Sequence, residues 1–221
     1  MALYVDSAFL NSIMDVAQTV PLAGVTTNPS IVLAAQTQGQ MLSPLEVLHE
    51  LLKLVEGNIF MQPGATEEDE MHRQALSYIE ADPLRVIPKI PMTHVGMRVA
   101  RRLKHEQRRL AFTAVTSVTQ AYSAAMIAAD YIIPYYGRLE RAGVEAGERI
   151  SEMADVLHNT GGSTRILTAS IKSVEDASRA LLAGSDDLTV SPQVLLEMLV
   201  DPMTEDAVDK FTHDWQMMKK M

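Results

Sequence analysis

The sequence predicts a closed, parallel (β/α)8 barrel, and three observations carry that expectation. Apolar runs of four to six residues recur eight times from one end of the chain to the other, separated by longer stretches with helical spacing. Most of the runs are too uniformly apolar for a sheet that is wet on one side, so both faces are expected to be covered. No break in composition interrupts the alternation, which favours a closed barrel over an open doubly wound sheet. The 221 residues leave about 25–28 residues for each repeat, short but normal for a minimal barrel. Residues 1–221 therefore read as one barrel domain.

The strand candidates are residues 3–6, 23–26, 58–62, 85–90, 111–115, 131–134, 165–169 and 187–190, most of them rich in Val, Ile and Tyr. The helices between them carry start and stop signals. Asn28-Pro29 is an N-cap followed by proline, and Ser43-Pro44-Leu45-Glu46 is a capping box ahead of the stripe Leu48, Leu51, Leu52 and Val55. Thr66-Glu67-Glu68-Asp69 starts the next helix with acids where the dipole favours them. Val95, Val99 and Leu103 form the buried face of the following helix, Ser117 opens an alanine-rich one, and Gly161-Gly162 stops a long one. Residues 203–221 form an additional amphipathic helix with Val208, Phe211, Trp215 and Met218 on one side. It is expected to dock on its own barrel or on a neighbouring subunit.

Charge and composition exclude several function classes. Net charge is −9, which repels nucleic acid and anionic lipid. No run reaches the roughly 18 apolar residues a membrane span needs. The first residues, Met1 to Asp6, have no basic segment and meet an acid too early for a signal peptide. There is no cysteine, hence no disulfide, thiolate metal site or thiol nucleophile. A cytoplasmic protein without membrane or nucleic-acid partners is expected. The six histidines show no ligand spacing, so neither metal nor cofactor is expected, and no glycine-rich phosphate loop is present. The basic run Arg98, Arg101, Arg102, Lys104, Arg108 and Arg109 lacks interleaved aromatics and reads as a solvated helix face. Most of the fourteen methionines sit at core spacing.

In a parallel barrel the active site lies at the C-terminal ends of the strands, so polar residues that end or interrupt apolar strands are informative. Asp6 ends the first strand, Thr26 and Asn28 the second and Gln62 the third. Lys89 lies inside the fourth and Thr113 inside the fifth, Tyr135 and Arg138 follow the sixth, and Ser170 and Lys172 follow the seventh. Burying so many polar groups at one end of a barrel is costly without a function. Lys89 is the most informative of the seven lysines. It stands in Val86-Ile87-Pro88-Lys89-Ile90-Pro91, with apolar neighbours on both sides. Such an amine loses hydration, which disfavours the ammonium, and a neutral amine can condense with a ketone. An inward strut paired with Asp6 fits the position equally well.

Leu22-Ala23-Gly24-Val25-Thr26-Thr27-Asn28-Pro29-Ser30 resembles a signature of the transaldolase family, and Lys89-Ile90-Pro91-Met92-Thr93 is similar to its Schiff-base lysine motif. Tyr4-Val5-Asp6-Ser7, Ser170-Ile171-Lys172 and residues 211–215 also fit, so the resemblance covers essentially the whole chain. It is nearest to the small bacterial branch, which holds fructose-6-phosphate aldolases and short transaldolases. The resemblance implies that Lys89 forms an imine with a dihydroxyacetone unit whose hydroxyls Asp6 and Asn28 hold, with Thr26 as a wall. It implies that Gln62, Thr113 and Tyr135 surround a water used in proton transfer. Glutamine cannot act as a base, so Tyr135 would be the acid/base. Glutamine with tyrosine resembles the aldolase branch, whereas glutamate with phenylalanine marks transaldolases. Arg138, Ser170 and Lys172 match the site for the phosphate of the acceptor, with lysine where transaldolases carry arginine. Pro88 and Gln62-Pro63-Gly64 depart from the family pattern. The resemblance further implies a homo-oligomer, commonly a decamer. Three readings therefore stand: aldolase, transaldolase, and a sugar-phosphate-binding barrel without catalysis.

Overall fold

In the computed structural model, which describes residues 1–220, eight parallel strands close into a barrel in sequence order. They are β1 (Leu3–Asp6), β2 (Gly24–Thr26), β3 (Asn58–Met61), β4 (Val86–Pro91), β5 (Ala111–Val115), β6 (Tyr131–Pro134), β7 (Arg165–Ile171) and β8 (Asp187–Val190). Closure is made by β1 against β8, with Leu3 opposite Leu188 and Val5 opposite Val190. Around the barrel run α1 (Leu10–Ala17), α2 (Pro29–Thr37), α3 (Pro44–Leu54), α4 (Glu68–Ala81), α5 (His94–His105), α6 (Val118–Met126), α7 (Tyr136–Arg141), α8 (Ala146–Thr160), α9 (Val174–Leu182) and α10 (Pro192–Glu197). The chain then enters α11 (Pro202–Met218). No described helix is long and apolar enough to cross a membrane.

The caps explain where the helices begin. The Asn28 carboxamide oxygen accepts from the Ile31 amide at 3.0 Å, Ser43 and Glu46 close a capping box, and so do Ser117 and Gln120. Gly161, left-handed at φ 65°, ends α8. α4 starts after Glu67, with Glu68, Asp69 and Glu70 in its first turn. On α5, Val99 and Leu103 are buried while Val95 is half-buried, and Arg98 and Arg102 pair across to Glu68 and Asp69 of α4.

Alternation divides each strand between two cores. Outward residues such as Val25, Ile59, Ile90, Phe112 and Leu188 pack under the helices, while Tyr4, Phe60, Ile87, Tyr131, Ile133 and Leu167 fill the interior. This double burial is why the strands read as continuous apolar runs. Tyr4, Phe60 and Tyr131 stack edge to face, with centroids 5.4 and 5.1 Å apart, and block the interior below the strand ends.

Three strand ends differ from expectation. β3 stops at Met61 and leaves Gln62 outside, because Pro63 has no amide proton to continue the ladder. β4 pairs with β3 as far as Pro88 and with β5 only from Lys89, so the proline stands where the ladder changes partner. β7 runs on to Ile171 through an irregularity after Thr168, with Ser170 at φ 61°. A matching irregularity in β5 puts Ala114 at φ 58°, so left-handed non-glycine residues flank β6 on both sides.

α11 contributes no buried residue, and Phe211 and Trp215 are 66% and 57% exposed. It does not dock on its own barrel. The methionines also depart from core spacing: Met61, Met71 and Met153 are buried, whereas seven others, among them Met203, Met217 and Met218, are exposed.

Candidate active site

A cavity of about 260 Å³ opens at the C-terminal ends of the strands, with Asp6, Asn28, Lys89 and Tyr135 in its wall. Ser30, Arg138, Arg141, Ser170 and Lys172 line it as well. A larger groove of about 540 Å³ lies between the starts of α5 and α6, but His94 is the one ionisable residue that lines it. The chemistry therefore concentrates in the smaller cavity. Among the described residues, no three His, Asp or Glu side chains gather as a metal site would require.

Lys89 shares the inward face of β4 with Ile87 and is only 1% exposed. Its Nζ donates to the Thr27 carbonyl at 2.8 Å, and no carboxylate oxygen of the described residues comes within 4.0 Å of it. Loss of hydration lowers the Lys89 pKa below its ordinary value, a shift that the charge of Asp6 partly opposes. Burial likewise raises the Asp6 pKa, opposed by Lys89, by a hydrogen bond from Thr26 and by Lys172. Both groups are driven toward their neutral forms. Lys89 is thus a hydrogen-bonded amine beside a cavity and not an ion-paired strut.

The Tyr135 hydroxyl lies 2.8 Å from Thr113 Oγ1, and the Arg138 guanidinium sits over its ring, 4.5 Å from the centroid. Burial raises the phenol pKa, while Thr113 and Arg138 pull it down by favouring the phenolate. Burial outweighs these contacts, so the phenol stays protonated at neutral pH, while Thr113 and Arg138 offset part of the cost of its conjugate base, which suits a group that must give and retake a proton.

The sequence model of the Transaldolase/Fructose-6-phosphate aldolase family matches residues 3–221. A protein of Chelativorans sp. (strain BNC1) is 35% identical over 97% of this chain and 96% of its own length, and it bears the name probable transaldolase. A probable transaldolase of Alkaliphilus metalliredigens is 32% identical over 100% of both chains. The chain belongs to the transaldolase/fructose-6-phosphate aldolase family. Solved structures with the same fold include a candidate deoxyribose-phosphate aldolase from Coccidioides immitis, at TM-score 0.61, 13% identity, and 90% and 85% coverage. Another is the thiamine phosphate pyrophosphorylase of Pyrococcus furiosus, at TM-score 0.60, 16% identity, and 88% and 87% coverage.

Set beside the residues that the resemblance to the transaldolase family singled out, the structure gathers seven of the ten around one cavity: Asp6, Asn28, Lys89, Tyr135, Arg138, Ser170 and Lys172. Three differ. Thr26 is not a wall; it is fully buried behind Asp6 and donates to its Oδ1 at 2.7 Å. Thr113 reaches the cavity only through its bond to Tyr135. Gln62 lies past the end of β3, half-buried and outside the lining.

Thr189 and Arg141 escaped the sequence reading. Thr189 Oγ1 lies 2.6 Å from Thr26 Oγ1. Thr26 has one proton and gives it to Asp6, so Thr189 must be the donor, making a chain of hydroxyls that ends on the carboxylate. The polar alternation Asp187, Thr189 in β8 was the available signal, but only barrel closure brings β8 beside β1. Arg141 follows Arg138 by three positions on α7, a helical spacing visible in the sequence.

Proposed function

We propose that this protein is a cytoplasmic class I aldolase of the transaldolase family. It cleaves fructose 6-phosphate, or a similar ketose phosphate, to dihydroxyacetone and glyceraldehyde 3-phosphate. The observation that carries this reading is the Lys89 amine, deprived of water and pushed toward neutrality, beside a cavity with a cationic rim. In the proposed cycle Lys89 adds to the C2 carbonyl and expels hydroxide to form an iminium. The hydroxide released in that step takes the Tyr135 proton and leaves as water. The resulting phenolate takes the C4 hydroxyl proton as the C3–C4 bond breaks, and the bond electrons flow into the iminium to give an enamine. The aldehyde leaves, the enamine carbon is protonated, and water hydrolyses the imine to release dihydroxyacetone and restore the amine. Asp6 and Asn28 hold the donor hydroxyls, Thr113 orients the phenol, and Arg138, Ser170 and Lys172 take the phosphate. Gln62, outside the lining, has no part in these steps.

A transaldolase, which passes the dihydroxyacetone unit to a second aldose phosphate, is the second reading. The names of the relatives favour it. Incubating fructose 6-phosphate with enzyme alone separates the two. Stoichiometric free dihydroxyacetone marks the aldolase, and turnover that requires an added aldose phosphate marks the transferase.

The pH dependence has a defined sign. The Asp6 charge raises the Lys89 pKa, so Asp6→Asn lowers it further. The rising limb of imine formation with dihydroxyacetone, read by cyanoborohydride trapping across pH, moves to lower pH in that variant. A limb that stays put or moves up would mean that Asp6 and Lys89 are not electrostatically coupled.

We also propose that α11 packs on a neighbouring subunit within a homo-oligomer, the decamer being the assembly that the family resemblance implies. Its exposed Phe211 and Trp215 support this. Phe211→Ser with Trp215→Ser should reduce the particle mass measured by light scattering while the far-ultraviolet circular dichroism is retained. An unchanged mass removes α11 from the contact.

A further inference from the structure

We propose that Arg141 is a specificity-determining residue, a second guanidinium that joins Arg138 in holding the substrate's phosphate. This deepens the function proposed above and rests on it for the identity of the substrate.

The argument begins with helix geometry. Arg138 and Arg141 are three residues apart on α7, so they leave the same face about 4.5 Å apart along the axis. Both line the catalytic cavity. The helix is seated there by Gly137, where a Cβ would come 2.7 Å from the Ser170 carbonyl oxygen and 3.5 Å from Lys172 Cγ. Any larger residue would lift α7 off the end of β7 and carry both guanidiniums away from Ser170 and Lys172. Ser170 itself adopts φ 61°, and this strained joint places the two arginines beside the serine and the lysine.

Charge bookkeeping points the same way. Of the chain's twelve arginines, eight pair with a carboxylate among the described residues; Arg138 and Arg141 are two of the four that do not. The acids nearest in sequence are engaged elsewhere, since Glu140 accepts from the Ala146 amide at 2.9 Å and Glu145 caps α8. In a protein of net charge −9, the cavity has one carboxylate, Asp6, against the cations Arg138, Arg141 and Lys172, with Lys89 driven toward neutrality. Such a site is asymmetric. Its neutral, hydroxyl-binding part surrounds Asp6 and Lys89, and its rim suits a dianion. A phosphate monoester presents three terminal oxygens, enough for two guanidinium forks and an ammonium. Lysine at position 172 offers a point charge without a fork, and Arg141 supplies the planar donor set that Lys172 does not.

The test is a calorimetric titration of the intact protein with inorganic phosphate, beside steady-state kinetics with fructose 6-phosphate. Arg141→Gln is expected to raise the phosphate Kd and the KM for fructose 6-phosphate about tenfold each, the effect of one charged hydrogen-bonding group, with kcat changed less than about threefold. Arg141→Lys should recover part of the loss. Arg101→Gln, which removes an unpaired arginine from α5, controls for the general field and should change neither constant. The proposal is overturned if Arg141→Gln leaves phosphate affinity within about twofold of the parent. It is overturned equally if Arg101→Gln weakens phosphate as much, or if the parent protein binds no phosphate. Trapping of neutral dihydroxyacetone on Lys89 is read in parallel. It reports on the Schiff-base reading alone, so a failure of that reading is distinguishable from a failure of the phosphate clamp.

Discussion

Lys89→Met abolishes the borohydride-stabilised adduct with dihydroxyacetone and lowers ketose cleavage by at least about 10⁴-fold, which corresponds to about 5.5 kcal/mol of barrier. The size follows from mechanism. The amine supplies both the covalent bond and the electron sink. Methionine is chosen because it keeps the length of the side chain and fills the same buried space. The substitution leaves the Thr27 carbonyl without its 2.8 Å donor, a loss of about 1–3 kcal/mol, but it also removes a poorly hydrated amine, so the fold is retained. Intact mass and peptide mapping check the result in the parent protein, where one reduced dihydroxyacetone unit should sit on Lys89. An adduct on any other lysine, or residual turnover in the variant above about one part in 10⁴, contradicts the assignment.

Tyr135→Phe separates proton transfer from imine chemistry. Turnover should fall about 10²–10⁴-fold, the usual contribution of a positioned acid/base, while the rate of cyanoborohydride trapping with dihydroxyacetone changes less than about threefold. The ring survives in phenylalanine, and so does the face on which Arg138 lies, so the site keeps its shape and the variant removes the hydroxyl alone. Thr113 loses its 2.8 Å partner. A Thr113→Val variant should therefore show the same split in weaker form. Equal losses of trapping and turnover in Tyr135→Phe would show that the phenol shapes the cavity without moving a proton.

The legible part of this protein was set by periodicity and local chemistry. Eight apolar runs became eight strands within a residue or two of their expected ends, because strands buried on both faces need apolar residues at every position. The caps at Asn28, Ser43 and Ser117 were readable because a short polar side chain acts on amides two or three residues ahead. Lys89 was readable because an ammonium has no place among valines and isoleucines unless a site receives it. Gln62 misled because its place at a strand end was judged without the consequence of Pro63. Thr26 misled because its place at a strand end does not say what stands in front of it; Asp6 stands there.

By itself the sequence determined the alternation of strand and helix, the place of Asp6, Lys89 and Tyr135 at or inside strand ends, and the family. Each of these is a property of residue type and spacing along one chain. Only the tertiary structure decided that Lys89 bonds to a carbonyl and not to Asp6, that Thr189 reaches across the closure to Thr26, that α7 seats Arg141 beside Arg138 at the cavity, and that α11 leaves its own barrel uncovered. The reason is physical. These contacts join segments up to 163 residues apart, and their distances follow from barrel closure, bulges and helix seating, which no local pattern encodes.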